Sequence, residues 1–125
     1  MAKNQSKAIR DVAKDFNITT TTLRRYCNQG LIPHVRRDRS GHRVLDSEQI
    51  ALLHILLGMK QAGFRPKEIR RYARLYRQGA STEAERTAML TTRKRQLWQE
   101  ITERQKAIDF IERQEEILQS KPAAV

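Results

Sequence analysis

The 125 residues amount to one domain, or to one small domain with a long appendage. Lys and Arg number 25 against 14 Asp and Glu, a formal net charge of +11, and that imbalance asks for a polyanionic partner, nucleic acid before a membrane surface. A single cysteine excludes an internal disulfide framework and any CxxC metal site, and it fits a reducing cytoplasm. No apolar run reaches the roughly 18–20 residues of a membrane span, and the polar start MAKNQSK does not read as a signal peptide.

The charge is unevenly spread. Residues 1–45 carry a net +7 and residues 46–78 a net +4, whereas residues 79–125 balance to zero. A solvated face explains any single run of charge but not this contrast. A basic front and a neutral back suit a polyanion-binding head joined to an interaction device.

Residues 1–8 lack periodicity and read as a flexible tail. From Ile9 the apolar residues Ile9, Val12, Ala13 and Phe16 fall at helical spacing. Asn17-Ile18 interrupts the pattern, and Thr19 offers an N-cap for a second helix over 20–29 that stops at Gly30. Leu23 and Tyr26 give that helix one inner flank, while Arg24 and Arg25 point elsewhere. Two short helices around a tight turn make a helix-turn-helix. The segment from His34 to Leu45 reads as a hairpin around Ser40-Gly41, and Arg36, Arg37, Arg39, His42 and Arg43 make it a positive finger, a wing.

Asp46-Ser47-Glu48-Gln49 is a capping box opening a third helix, with Ile50, Leu53 and Leu57 inward and a stop at Ala62-Gly63. Arg65-Pro66 starts a fourth, lined by Ile69, Tyr72, Ala73 and Tyr76 and stopped by Gly79. Residues 9–78 thus form the winged head, and 79–81 a linker. From 82 to 119 there is neither Gly nor Pro. Heptad a positions hold Leu90, Leu97, Arg104, Ile111 and Leu118, and d positions hold Lys94, Ile101, Ile108 and Glu115. This is a coiled-coil pattern that wants a second copy; the competing reading folds the helix back onto its own head. Residues 120–125 read as a tail.

Catalytic and cofactor signatures are missing. Neither GxxxxGK[ST] nor GxGxxG occurs, HExxH is missing, and the three histidines have no partner at ligand spacing. The sequence predicts no enzyme, no cofactor and no metal. Cys27, the only thiol, lies close to Arg24 and Arg25, which would favour thiolate; the alternative is a small residue packed between helix and wing.

The stretch Ile9 to Leu75 resembles the DNA-binding head of the MerR family of bacterial transcription regulators. The resemblance rests on Ile9, Val12 and Ala13, on Thr22-Leu23-Arg24-Arg25-Tyr26, on Gly30-Leu31-Ile32-Pro33, on Ser40-Gly41-His42-Arg43, and on Gly63-Phe64 with Glu68-Ile69. Tyr72 to Ala84 is similar to the thiol- and aldehyde-responsive branch. Three positions depart from the family pattern. Arg25-Tyr26-Cys27 replaces the usual Tyr-Tyr-Glu, His42 stands where Tyr or Asn is usual, and Gly58 stands where that branch commonly has cysteine.

The resemblance implies a mainly α fold, with a winged helix-turn-helix head and a long C-terminal helix that dimerises as an antiparallel coiled coil. It implies a homodimer on a pseudo-palindromic double-stranded DNA operator, inside a promoter whose long spacer is bent and untwisted for RNA polymerase. Thr20, Thr21 and Arg24 are the expected base readers. Arg25, Tyr26, Arg36, Arg37, Arg39, His42 and Arg43 complete the expected DNA face, with core packing as the competing role for Tyr26. Lys60, Arg65 and Lys67 are further basic residues near the third turn. Leu90, Leu97, Ile101, Ile108, Ile111 and Leu118 are the expected dimer seam. A rival function is an architectural or recombination-directionality protein with a related head; an RNA-binding or anionic-membrane protein would use the same charge.

Overall fold

The computed structural model describes residues 5–120, arranged as β1 (Ser6–Ala8), α1 (Ile9–Asp15), α2 (Thr20–Asn28), β2 (Arg36–Arg37), β3 (Arg43–Asp46), α3 (Ser47–Gln61), α4 (Pro66–Arg77), a 3-10 turn (Gly79–Thr82) and α5 (Glu83–Ser120). The chain divides after Arg86 into two compact units.

The first unit is built around the helix-turn-helix. Asn17 takes a left-handed φ of 56°, a conformation asparagine tolerates better than most residues, and this turns the chain out of α1. Thr19 then caps α2, its Oγ1 accepting the Thr22 N–H at 3.0 Å. Val12 of α1 and Leu23 of α2 meet Ile32, Leu45, Leu53 and Leu56 among the most deeply buried side chains.

The sheet has the order β1-β3-β2, both pairings antiparallel, with Lys7 opposite Leu45 and Arg37 opposite Arg43. Residues 6–8, assigned to the tail from sequence, are therefore an edge strand. Three residues are too short to display a period, and the strand exists because β3 has a second edge to pair. Lys7 also forms an ion pair with Asp15 at the end of α1. The remaining tail residues, 1–4 and 121–125, lie outside the described residues.

The capping box forms as the sequence requires: Asp46 Oδ1 accepts the Gln49 N–H at 2.8 Å, and Gln49 Oε1 accepts the Asp46 N–H at 2.9 Å. The Gln49 amide nitrogen then donates to the Pro33 carbonyl at 2.7 Å, tying α3 to the segment before the wing. The inner face of α3 is Leu52, Leu53, Leu56 and Met59; Ile50 and Leu57, expected inward, are only half-buried. In α4, Ile69, Tyr72, Ala73 and Leu75 are buried and Tyr76 is half-buried.

Residues 79–81, expected to be a linker, belong to a hydrogen-bonded turn. Thr82 is buried and donates to the Leu75 carbonyl at 2.6 Å, and Arg86 donates to Thr82 Oγ1 and to the Gly79 carbonyl, both at 3.0 Å. The same guanidinium lies 5.9 and 5.5 Å from the ring centres of Tyr72 and Tyr76, within cation–π range. Sequence spacing around Gly79 does not reveal these side-chain partners.

Helix α5 has 38 residues and none is buried. At 1.5 Å per residue it is about 57 Å long. Of the expected seam, Leu90, Ile101, Ile108, Ile111 and Leu118 are exposed and Leu97 is half-buried. Phe110 and Ile117 are also exposed, and at about 100° per residue they lie opposite that seam. The heptad assignment missed this second apolar side.

Gln49 supplies a testable consequence. Replacing it with Glu preserves the acceptor that completes the box but removes the donor to Pro33 and faces a carbonyl with a carboxylate. Gln49→Glu should lower stability by about 1–3 kcal/mol in urea titrations at neutral pH. An unchanged midpoint would show that the Pro33 tie carries no weight.

Candidate nucleic-acid interface

A cleft of about 420 Å³ opens between α1, the exposed side of α2 and the wing. Arg10, Thr20, Arg24, Arg37, His42 and Arg43 line it, with Asp38 the one acid among its lining residues. Thr20 and Arg24 reach it together because residues four apart share a helix face. The N-cap at Thr19 fixes where that face begins.

Asp38 does not cancel this charge in any simple way, because its carboxylate builds the turn. Its Oδ1 accepts the Ser40 N–H at 2.9 Å and the His42 N–H at 3.0 Å. Gly41 takes a φ of 84°, which a residue with a Cβ rarely adopts, and its carbonyl accepts from Arg37 Nη1 at 2.7 Å. His42 Nδ1 lies 3.8 Å from the same carboxylate. The wing therefore holds its cations by bonds made to its own backbone. Arg43 Nη2 donates to Asn28 Oδ1 at 2.8 Å, joining the wing to α2.

The other expected DNA-facing residues lie around this cleft or away from it. Thr21 is exposed at the start of α2, and Arg36 and Arg39 are exposed on the wing, with Arg36 also 3.9 Å from Asp46. Arg25 is exposed but lines a different pocket, because one residue along a helix turns the side chain by about 100°. Tyr26 is buried at 6% exposure, so its ring packs in the core. Arg10 joins the cleft without having been singled out in the sequence; the available signal is its exposed position directly after Ile9.

Among the described residues, no group of three or more His, Cys, Asp and Glu is placed to hold a metal, and no helix is long and apolar enough to cross a membrane. Residues 8–75 match the MerR HTH family regulatory protein. The chain belongs to the MerR family. The HTH-type transcriptional regulator AdhR of Bacillus subtilis (strain 168) is 36% identical over 89 residues, which are 71% of this chain and 64% of AdhR, so the match spans just under two thirds of that relative. The structure of HiNmlR, described as a MerR family regulator lacking the sensor domain and bound to promoter DNA, is similar with a TM-score of 0.72 and 28% identity, covering 84% of this chain and 80% of that one. A MerR family regulator from Bacillus thuringiensis is similar with a TM-score of 0.73 and 25% identity, over 88% and 96% of the two chains. These relatives are regulators of transcription, not enzymes.

Within this MerR-family head, position 27 is a departure with a physical consequence. Cys27 is half-buried, and burial pushes its thiol pKa up; the neighbouring Arg43 guanidinium opposes that shift without overcoming it. The cation that acts on the thiol is Arg43 of the wing, which the sequence reading did not include. Arg43 Nη1 is itself buried without a hydrogen-bond partner among the described residues.

A raised folded-state pKa means that the folded chain keeps its thiol proton to higher pH than the unfolded chain does. The resulting stability is complete below the unfolded thiol pKa and is lost as pH rises through the folded one. Thermal denaturation across the alkaline range should therefore show a steeper loss of stability for the wild type than for Cys27→Ser. At neutral pH, iodoacetamide should alkylate Cys27 more slowly than it alkylates a free cysteine. Faster alkylation would overturn the burial account.

Proposed function

We propose that this chain is a DNA-binding transcriptional regulator that works as a homodimer on a pseudo-palindromic operator. The operator lies in a promoter with a long spacer, which the dimer bends and untwists so that RNA polymerase engages both promoter elements. The observation that carries the reading is the cleft in which the exposed side of α2 and the wing present Arg10, Arg24, Arg37 and Arg43 together. The DNA-bound state of HiNmlR is what a head of this kind does in that protein.

The division of labour follows from contact chemistry. Thr20, Thr21 and Arg24, at the start of α2, are the base readers, and a bidentate arginine on guanine is worth about 1–3 kcal/mol of discrimination. Arg36, Arg37, Arg39 and His42, with Arg10, hold phosphates and so position the head without reading sequence. Arg43 acts by fixing the wing to α2, and Tyr26 by supporting α2 from the core. Deforming the spacer costs on the order of 1–10 kcal/mol, so spacer shape is the quantity that the bound dimer controls.

Dimerisation rests on α5, in which no residue is buried and whose seam side chains Leu90, Ile101, Ile108, Ile111 and Leu118 are exposed. An antiparallel register that pairs Arg104 with Glu115 also pairs Ile108 with Ile111 and Ile101 with Leu118. These three pairings match charge with charge or apolar with apolar, whereas a more central register would bury more of Leu90 and Leu97.

Footprinting on the DNA beside the gene tests the whole reading. A single protected site between promoter elements supports a regulator, whereas a phased array of sites would point to an architectural protein. Arg24→Ala should cost about 1–3 kcal/mol on cognate DNA and relax preference at one base step in each half-site. Asp38→Ala removes an acid from the DNA face, so charge alone predicts tighter binding. The wing's dependence on Asp38 predicts weaker binding instead, and a tighter complex would refute the structural role. For the seam, Ile108→Glu should yield monomers in sedimentation, and a dimer of unchanged mass would sink the coil.

A further inference from the structure

A second pocket, of about 410 Å³, lies among the later part of α2, the end of α3 and the start of α4. Its floor is apolar: Tyr26, Leu31, Phe64 and Ile69 are core side chains, yet each keeps 6–8% of its surface exposed. Its rim is cationic. Arg25, Lys60 and Arg70 are exposed among the lining residues, which include no acid. Among the described residues, none of these three cations has an ion pair or a side-chain hydrogen bond.

Two simple occupants each match half of this surface. A phosphate, free or in DNA, satisfies the cations but leaves the narrow exposed edges of the apolar floor uncovered. A neutral hydrocarbon covers the floor but leaves three like charges crowded and unpaired. A molecule with both parts matches both. Small-molecule pockets run from about 300 to 1,000 Å³, so this one suits a ligand at the small end of that range.

We propose that this pocket binds an amphipathic organic anion, a carboxylate or sulfonate carried on a flat bicyclic or similar apolar body. The body lies on Tyr26, Leu31, Phe64 and Ile69, and the acid group faces Arg25, Lys60 and Arg70. Binding neutralises cations that border α2, so the bound anion lowers the affinity of the head for DNA. That second effect rests on the DNA-binding function proposed above; the binding itself does not.

The test uses the full chain and 2-naphthoate as the probe, titrated by calorimetry and followed by amide chemical shifts. One site per protomer should saturate at millimolar probe, with shifts at Phe64 and Ile69. The neutral analogue 2-naphthylmethanol should bind about tenfold more weakly or worse, since it lacks the charge-assisted contacts. Inorganic phosphate at the same concentration should not displace the probe. Lys60→Ala and Arg70→Ala, both at exposed positions, should each weaken binding about threefold, whereas Arg95→Ala on α5 should leave it unchanged. Phe64→Leu keeps the core apolar and should still weaken the probe by removing the flat contact.

Failure to saturate, equal affinity for the alcohol, displacement by phosphate, or indifference to both cation variants would each overturn the site. In the second arm, saturating 2-naphthoate should weaken operator binding by the wild type and do so less for Arg70→Ala. Probe binding with no change in operator affinity would overturn the coupling alone. A chain that binds the probe but no DNA would overturn the proposed function and leave the pocket standing.

Discussion

The hydrogen bond from Arg43 on the wing to Asn28 on α2, 2.8 Å long, joins two elements that arrive from different parts of the chain. The cleft between them depends on that junction, because neither element is wide enough to shape it alone. The bond uses an arginine for architecture, as the Arg37 bond to the Gly41 carbonyl also does. Its second terminal nitrogen is buried without a hydrogen-bond partner among the described residues. An unsatisfied buried polar group costs about 1–3 kcal/mol, and a carboxylate at position 27 would relieve it. The Cys27 thiol, whose pKa burial raises, offers Arg43 a hydrogen-bond contact but no charge to pair with. The base of the cleft therefore keeps its full positive charge.

The same concentration of positive charge runs through the wing. Strands of two and four residues carry Arg36, Arg37 and Arg43, and the turn between them carries Arg39 and His42. Such a hairpin repels itself and has little apolar surface to hold it. Asp38 resolves this locally by accepting two backbone N–H bonds, while Arg37 closes onto the Gly41 carbonyl. Pairing of β3 with both β2 and β1 does the rest, since it leaves β3 with no open edge. An acid in a basic finger thus serves geometry first, and its formal charge is a poor guide to its effect on a polyanion.

Much of this was legible in the sequence wherever a local rule sets the outcome. Thr19 and the Asp46–Gln49 box cap the helices they were expected to cap, Gly79 ends α4, and the hairpin turns at Ser40-Gly41. What remained hidden depended on partners distant in sequence. The strand at residues 6–8 exists only because Leu45 and its neighbours offer an edge. The sequence left Tyr26 between a place on the DNA face and core packing, and its ring is among the buried side chains. Arg24 and Arg25 read as one basic pair, yet helical rotation sends them to separate pockets. Arg10 entered the cleft because the fold returns the wing to α1, which periodicity within α1 does not reveal.

The distribution of charge explains why one chain can serve both attachment and pairing. Residues 1–78 hold the entire net charge of +11, so two heads brought close together repel each other. The final 47 residues are neutral overall, with acids and bases interleaved around apolar side chains. In the proposed dimer, two such helices would approach without a net Coulomb penalty and with apolar area to bury, whereas the heads would repel. Repulsion between heads weakens once phosphates and their displaced counterions intervene. Pairing through the neutral segment, as proposed, would be independent of salt to first order, while DNA binding through the basic segment would be strongly salt-dependent. The proposed regulator would thereby keep its oligomeric state while its hold on DNA changes.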